Sequence, residues 1–399
     1  MRQAAKATQS ARFSIIKAIC RSIMDAPSEA QLHQVRRLAD DYEATGESTE
    51  AKALRDILEA GASKATGFAP SRLVRSRASL GGEELTAKTP APVDKETAVP
   101  LAHVLFPGNA EAPRPTFDPR LKSAVDSLVE EWAHWDDLTR AGVDPARSCL
   151  IYGPPGTGKT TLAIWMAREL QLPLVVARLD GMISSFLGTT SRNIGALFNF
   201  ANRYRCVLLL DEFDAIAKVR DDPHEVGEIK RVVNTLLQNL DSRREFGITV
   251  GITNHEQLLD PAVWRRFDAQ IHIPRPEFVT RTEIASRFLG EDFKASYHGK
   301  LLAWLSDGLA GSEIESLARS IRKAKVIDGP QFDLLETLRR LSALNSGRVS
   351  VERVQQLALE NPKLASAMKA DPSLILDTSE LAELFGNHPS TIGRWINSP

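Results

Sequence analysis

The sequence predicts an α/β fold in three layers, in which a parallel sheet of about five strands is covered by helices on both faces. Apolar runs alternate with helical patterns between residues 117 and 276. Several of these runs, such as 207–210, are continuously apolar, which favours strands buried on both faces. Residues 277–345 contain helical patterns without strands. A small all-helical domain is therefore expected after the sheet domain.

Composition is ordinary for a globular protein, with 43% apolar and 25% charged residues in a chain of 399. The net charge of −1 gives no global reason to expect nucleic acid or an anionic membrane as a partner. No run of about 18 apolar residues occurs, so no membrane association is expected. The three cysteines form no CxxC pair and fit buried thiols in a reducing, cytoplasmic compartment.

A glycine-rich turn connects the apolar run 149–152 to a helical pattern, and it reads Gly153-Pro-Pro-Gly-Thr-Gly-Lys-Thr-Thr161. Its glycines allow backbone N–H groups to wrap around an anion, and the helix N-terminus adds roughly half a positive charge. Lys159 would reach the β- and γ-phosphates of a nucleotide, and the Thr160 hydroxyl would bind Mg²⁺. The expected nucleotide-binding residues are Gly153, Pro154, Pro155, Gly156, Thr157, Gly158, Lys159, Thr160 and Thr161.

Two carboxylates, Asp211 and Glu212, follow the apolar run 207–210. The carboxyl end of a parallel strand would place both beside the glycine-rich turn. Asp211 would hold Mg²⁺ through water, together with Thr160, and Glu212 would polarise the attacking water. A solvated acidic turn is the alternative, and the glycine-rich turn upstream argues against it.

The glycine-rich turn, the segment Asp211-Glu-Phe-Asp214 and the pair Thr253-Asn254 together resemble the AAA ATPases, P-loop NTPases that include katanin and the proteasomal ATPases. The resemblance covers residues 119–345. It implies ATP and Mg²⁺ as cofactors and hydrolysis of ATP to ADP and phosphate. It also implies that Asn254 helps to orient the attacking water, although Asn254 could instead cap a turn.

Two adjacent arginines, Arg265 and Arg266, resemble the arginine fingers of this family. One or both would reach the γ-phosphate on a neighbouring subunit, and Arg266, which precedes Phe-Asp, is preferred. Because the segment is shorter than its usual form, the division of roles between the two stays open. A local salt bridge to Asp260 or Asp268 is the alternative. A finger acting on a neighbour implies a homo-oligomeric ring, by resemblance a hexamer.

The segment Leu309-Ala-Gly-Ser-Glu-Ile314 resembles the start of the lid helix that closes over the adenine. Gly311 and Ser312 are therefore expected to contact the nucleotide. No arginine follows Gly311 directly, which predicts that this lid lacks a second sensor arginine.

Phe186, Leu187 and Gly188 resemble the aromatic–hydrophobic–glycine pore loop with which these rings grip a threaded polypeptide. The resemblance implies a protein substrate. Thr189 stands where an acid is more usual, and the alternative for Phe186 is packing in the core.

Three segments flank the predicted ATPase. Residues 1–61 predict a helical domain, either an adaptor or a structural appendage. Residues 62–116 are rich in proline and alanine and predict a flexible linker. Residues 346–399 predict a helical tail with a helix-turn-helix-like motif around Gly386. The tail contains four acidic residues and one arginine, Arg394, around this motif, so DNA contact is less favoured than protein contact.

The predicted function is Mg²⁺-dependent ATP hydrolysis by a ring that remodels or unfolds a protein substrate threaded past Phe186. One alternative is a DNA-associated ATPase recruited through the tail. Another is a nucleotide-gated scaffold with little turnover, against which Glu212, Asn254 and the two arginines argue.

Overall fold

The computed structural model describes residues 48–65, 82–108, 113–179, 187–214, 226–243 and 247–397, together with 16, 35, 37–40 and 42–43. The chain divides into two compact units, 1–75 and 76–399. In the first unit, helix α1 (Ser48–Ala65) contributes Leu54 and Ile57 to a small core that also contains Val35 and Ala39. This core lies within the predicted N-terminal helical region.

The described residues of the second unit form one mixed sheet, whose strands are β1 (Ala102–Leu105), β2 (Ser148–Tyr152), β3 (Leu174–Ala177), β4 (Val207–Leu210), β5 (Ile248–Thr253) and β6 (Ala269–His272). The strand order is β1-β3-β4-β5-β2-β6. Every pair is parallel except β1 and β3. The predicted parallel-dominated α/β fold is confirmed, and the sheet has one strand more than expected.

Helices cover both faces of the sheet. They are α2 (Pro119–Ala133), α3 (Trp135–Arg140) and α4 (Lys159–Glu169) on one face, and α5 (Leu187–Arg203), α6 (Val226–Arg243) and the one-turn α7 (Pro261–Trp264) on the other. Strand β4 packs against the helices on both faces of the sheet because its side chains alternate in direction. Val207 and Leu209 pack with α2–α4, whereas Leu208 and Leu210 pack with α5 and α6. The continuous apolar run is thus explained.

The prediction of a flexible linker at 62–116 is wrong for residues 82–108. Strand β1 pairs antiparallel with β3, and Leu85 and Leu101 are buried in the core that α5 and α6 share with the sheet. The strand is only four residues long and lies between Pro100 and Pro107, so its composition resembles that of a linker. An edge strand tolerates neighbouring prolines because only one of its sides needs hydrogen bonds.

Eight helices follow the sheet: α8 (Phe278–Leu289), α9 (Ser296–Leu305), α10 (Gly311–Asp328), α11 (Leu334–Leu344), α12 (Val351–Leu357), α13 (Asn361–Ala370), α14 (Thr378–Phe385) and α15 (Pro389–Asn397). They share one apolar core, which contains Trp304 and Leu338 from the predicted lid and Met368 and Leu381 from the predicted tail. The boundary predicted at residue 345 therefore does not separate two cores.

Helix α14 is followed by Gly386, which has a left-handed conformation with φ of 60°, and α15 begins three residues later. Asp377 accepts a hydrogen bond from the Glu380 N–H and so caps α14. In the described ranges, no helix combines the length and the apolar composition needed to cross a membrane.

Candidate functional site

The glycine-rich loop after β2 is packed so tightly that two of its glycines have no room for a side chain. Gly153 has φ of 139°, and a Cβ there would lie 2.2 Å from the carbonyl oxygen of Ile273. Gly156 has φ of 76°, and its Cβ would lie 2.2 Å from Oγ of Ser312. The Ser312 N–H donates to the Gly156 carbonyl oxygen at 3.0 Å. The loop is therefore in direct contact with the first turn of α10.

Lys159 is the first residue of α4, and its side chain turns back into the loop. Its Nζ donates to the carbonyl oxygens of Gly153 and Pro154 at 2.8 and 2.6 Å. Burial lowers the pKa of this ammonium, while nearby carboxylates, Asp211 first among them, act in the opposite direction. The loop thus holds a buried cation whose hydrogen bonds go to neutral carbonyls, and a phosphate could replace them.

Thr160 connects the start of α4 to the end of β4. Its Oγ1 donates to Oδ2 of Asp211 at 2.8 Å. Hydroxyl and carboxylate oxygens are hard ligands of the kind that Mg²⁺ prefers, and Mg²⁺ usually keeps water and substrate phosphates as its other ligands. Within the described ranges, no cluster of three or more His, Cys, Asp or Glu side chains could hold a metal ion. The Thr160–Asp211 pair fits Mg²⁺ that is bound jointly with a polyphosphate.

Glu212 has an unusual backbone conformation for a residue other than glycine, with φ of 51°. Such left-handed residues cost of order 1–3 kcal/mol and concentrate at functional sites. Its N–H donates to Oδ1 of Asp211 at 3.0 Å. The next residue, Phe213, is buried with its ring centroid 5.8 Å from that of Phe267. Core packing behind the turn holds the exposed Glu212 at its edge.

Asn254 follows β5, next to Thr253, whose side chain organises the turn. The Thr253 hydroxyl donates to Oδ1 of Asp214 and accepts from the His255 N–H, both at 3.0 Å. The capping role that was the alternative for Asn254 therefore belongs to Thr253. The Asn254 side chain makes no hydrogen bond with the described residues and lines the cavity at this edge of the sheet.

One cavity of about 410 Å³ brings these segments together, and its wall contains Lys159, Thr160, Asp211, Glu212, Asn254, Gly311 and Ser312. An adjoining cavity of about 500 Å³ shares Thr116, Thr157, Ile284 and Gly311 with it. Phe117, Ile273 and Pro274 give this second cavity an apolar lining. The charged residues Asp118, Arg120, Arg275 and Glu277 also line the second cavity. The two volumes are in the range of small-ligand sites.

Sequence analysis missed part of the cavity wall. Pro115 lies over the glycine-rich loop. A Cβ on Gly158 would be 3.8 Å from the Cβ of Pro115. Helix α8 contributes Ile284, Arg287 and Phe288. Pro115 lies in the proline-rich stretch that predicted a linker, and the i, i+4 spacing of Ile284 and Phe288 is equally typical of core packing. No signal in the sequence marked these residues.

Among the described residues, neither Arg265 nor Arg266 lines the nucleotide cavity of its own chain. The Arg266 guanidinium pairs with Asp241 on α6 at 3.3 Å and donates to the Ala262 carbonyl oxygen at 3.2 Å. Its partner is thus Asp241, where the sequence suggested Asp260 or Asp268. Arg265 is exposed.

The predicted pore loop is only partly described. Phe186 lies outside the described residues, and Leu187 and Gly188 begin α5. Further along this helix, the buried Asn193 donates to Oδ2 of Asp94 at 2.7 Å. Residues 82–108 therefore hold the first turns of α5 in place.

Comparisons with known proteins agree with this geometry. Residues 149–275 match the family described as "ATPase family associated with various cellular activities (AAA)". An uncharacterized AAA family ATPase, y4kL, of Sinorhizobium fredii is 39% identical over 204 residues, which cover 50% of this chain and 61% of the relative. The proteasome-activating nucleotidase of Sulfurisphaera tokodaii is 30% identical over 229 residues, 54% of this chain and 58% of the relative. The chain thus spans less than two thirds of the length of these relatives.

Proposed function

On the premise that the chain carries an AAA-family ATPase domain at residues 149–275, we propose that it binds ATP with Mg²⁺ and hydrolyses it to ADP and phosphate. The observation that carries this proposal is the single cavity whose wall contains Lys159, Thr160, Asp211, Glu212 and Asn254. These residues come from the starts or ends of three elements that are far apart in the sequence. Their combination of cation, hydroxyl, carboxylates and amide matches the needs of phosphoryl transfer.

Each residue has a distinct part in this reaction. The Lys159 ammonium exchanges its carbonyl partners for β- and γ-phosphate oxygens, and the Thr160–Asp211 pair holds Mg²⁺. Magnesium, when bound, neutralises the charge that develops on the phosphates. The Glu212 carboxylate accepts a hydrogen bond from the attacking water, and Asn254 orients this water through an amide that has no partner in the described part of the chain.

Two variants test the proposal. Lys159→Ala should weaken ATP binding about 10- to 100-fold, because a charge-assisted hydrogen bond is lost. Glu212→Gln should keep ATP binding but slow hydrolysis about 10²- to 10⁴-fold. Binding is measured by titration with a fluorescent ATP analogue, and turnover by phosphate release. Glu352→Gln, which changes an exposed carboxylate on α12, is the control. Full turnover by the Lys159→Ala protein would contradict the proposal.

The active form is proposed to be a homo-oligomeric ring, a hexamer, in which Arg266 reaches the neighbour's γ-phosphate and Arg265 is the alternative finger. The ion pair of Arg266 with Asp241 is partly exposed, so releasing it costs at most about 1 kcal/mol. An arginine finger accelerates phosphoryl transfer about 10³- to 10⁵-fold. Removing the finger should therefore lower the rate of ATP hydrolysis far more than the loss of the local ion pair could explain.

Mixing experiments identify the finger. Arg266→Ala and Glu212→Gln proteins should each be nearly inactive, whereas a mixture should regain turnover at interfaces that combine an intact Glu212 with a neighbour's Arg266. Arg265→Ala is tested in the same way. Light scattering of the Glu212→Gln protein with ATP gives the size of the ring. If the Arg265→Ala and Arg266→Ala proteins both keep full activity, the trans arrangement is wrong.

We further propose that the ring remodels a protein substrate that is threaded past Phe186, Leu187 and Gly188. Support comes from the proteasome-activating nucleotidases among the relatives and from the pore-loop pattern of residues 186–188 in the sequence. Phe186→Ala should leave basal ATP hydrolysis unchanged and abolish unfolding of a tagged fluorescent protein. Phe186→Tyr should retain unfolding, because it keeps an aromatic ring. Loss of basal hydrolysis in Phe186→Ala alone would instead favour a structural role for this residue.

Recruitment to DNA through α15 is a second candidate function. The acids of the tail, which argued against it, form hydrogen bonds or ion pairs with other residues of the helical region. They are Asp371 with Arg353, Ser373 and Trp304; Asp377 with the Glu380 N–H; Glu380 with Lys300 and Ser296; and Glu383 with Tyr297. Two of these four carboxylates, Asp371 and Glu380, are thus paired with a cation of the helical body, which reduces the acidity that argued against DNA contact in the sequence.

Substitution tests this candidate better than deletion, because removing residues 372–399 would also remove Leu381 and Ile392 from the shared core. If α15 binds duplex DNA, Arg394→Ala should weaken binding and lower the salt slope by about one. Arg140→Ala, on an exposed arginine of α3, is the control. Absence of salt-dependent binding by the unmodified protein would rule this function out.

A further inference from the structure

Arg287 adds a cation to the wall of the nucleotide cavity, at a position that no motif marks. It lies on α8, three residues after Ile284, and both residues line the cavity that contains Lys159 and Thr160. Its side chain is exposed and not packed into the helical core. Helix α8 therefore presents a guanidinium to the same space as the glycine-rich loop.

One hydrogen bond joins this guanidinium to the segment that precedes α2. Arg287 Nη1 donates to the carbonyl oxygen of Arg114 at 2.8 Å. The next residue, Pro115, has its Cβ 3.8 Å from the place of a Cβ on Gly158. The Arg114 side chain is itself held by Asp126 and lies over the Trp165 ring. Arg287 is thus anchored one residue away from the segment that covers the glycine-rich loop.

Most of the hydrogen-bonding capacity of Arg287 is unused in the described part of the chain. A guanidinium has five N–H donors, and this one makes a single hydrogen bond, to a neutral carbonyl. Glu315, a carboxylate of the same cavity, pairs with Arg319, and Asp211 accepts from Thr160. No ion pair joins Arg287 to a described carboxylate. Its charge and a fork of donors remain available to an anion.

We propose that Arg287 binds the polyphosphate of the nucleotide and thereby couples the position of the lid to nucleotide occupancy. The proposal rests on the proposed ATP binding and assigns a residue of α8 to it. The Ser312 contact with Gly156 already joins α10 to the glycine-rich loop. A phosphate held between Lys159 and Arg287 would join α8 to the loop as well, so the bound nucleotide would bridge both domains.

Three substitutions at this position separate phosphate binding from simple support of the Arg114 carbonyl. Arg287→Gln keeps an N–H donor for that carbonyl but has no charge. Arg287→Lys keeps the charge but loses the fork, and Arg287→Ala loses both. Equilibrium titration with a fluorescent ATP analogue, in a Glu212→Gln background that prevents turnover, gives the affinity. The control is Arg205→Ala, which removes another exposed guanidinium that donates to one carbonyl, that of Gly82.

The expected order of affinity is unmodified Arg287, then Arg287→Lys, then Arg287→Gln and Arg287→Ala together at about 10- to 100-fold weaker binding. The salt dependence of ATP binding should also decrease in the uncharged variants. If Arg287→Gln binds ATP as tightly as the unmodified protein, Arg287 acts only as a clamp and the inference is wrong. If the unmodified protein does not bind ATP, or Lys159→Ala binds it equally well, the proposed function itself fails.

Discussion

Gly156 and Gly308 have nearly the same φ, 76° and 71°, but very different surroundings. A Cβ on Gly156 would meet Ser312 Oγ, whereas a Cβ on Gly308 would meet no atom within 4 Å. Both positions favour glycine through the backbone alone. Only at Gly156 would a side chain also meet the first turn of α10.

We therefore expect Gly156→Ala and Gly308→Ala to share a modest loss of stability, of order 1 kcal/mol, from the left-handed backbone. Gly156→Ala should in addition weaken ATP binding about tenfold, because the Ser312 side chain must move from its place beside the loop. Gly308→Ala should bind ATP normally. Thermal unfolding and nucleotide titration of the two variants measure both effects. Equal ATP affinity would show that the lid contact does not matter for binding.

At the scale of secondary-structure elements, β1 is the clearest difference between sequence and structure. Prolines and low periodicity made residues 82–108 resemble a linker, yet Leu101 is fully buried beside the sheet. Four residues are too few for a periodic pattern to be recognised. The strand is specified by its partner β3, whose edge would otherwise be unpaired.

The Leu101→Ala substitution tests this assignment. A buried leucine truncated to alanine should destabilise the protein by about 3 kcal/mol, through lost burial and a residual cavity. Val99→Ala, two residues away at a position that is 37% exposed, should cost less than about 1 kcal/mol. Urea unfolding followed by circular dichroism gives both values. Two neutral substitutions would mean that this segment is a linker after all.

At the scale of the whole molecule, the predicted lid and the predicted tail are joined by an ion pair beside their common core. Asp371 accepts from Trp304 Nε1 at 2.9 Å and pairs with Arg353, whose guanidinium lies 4.6 Å from the centroid of the Trp304 ring. Burial by itself would raise the pKa of Asp371, but hydrogen bonds from Ser373, Trp304 and Arg353 outweigh it and hold the pKa well below its usual range.

Because the folded-state pKa of Asp371 is depressed, its stabilising effect is complete above the unfolded pKa of about 4 and is lost as the pH falls below it. Asp371→Asn should destabilise the helical region by about 3 kcal/mol at pH 7, since Arg353 loses its counter-charge. The difference from the unmodified protein should shrink at pH 3. Tryptophan fluorescence during urea unfolding, at both pH values, measures this. A difference that does not depend on pH would contradict the assignment.

The sequence by itself determined the parallel α/β architecture and the chemically distinctive part of the site. Glycine spacing, a lysine at a helix start and carboxylates after a buried strand are local patterns, and local patterns suffice where the chemistry depends on adjacent residues. Lys159, Thr160, Asp211 and Glu212 were predicted in this way, and Asn254 was implied by the resemblance to the AAA ATPases. All five lie around one cavity.

Only the tertiary structure decided the rest of the cavity wall, the sixth strand and the extent of the helical core. Pro115, Ile284, Arg287 and Phe288 reach the cavity because separate segments fold over the loop, and no local pattern records such a long-range contact. In the same way, four acids counted along the tail suggested a repulsive surface. Their partners are up to 84 residues away in the chain, so their charge could be assigned only after folding.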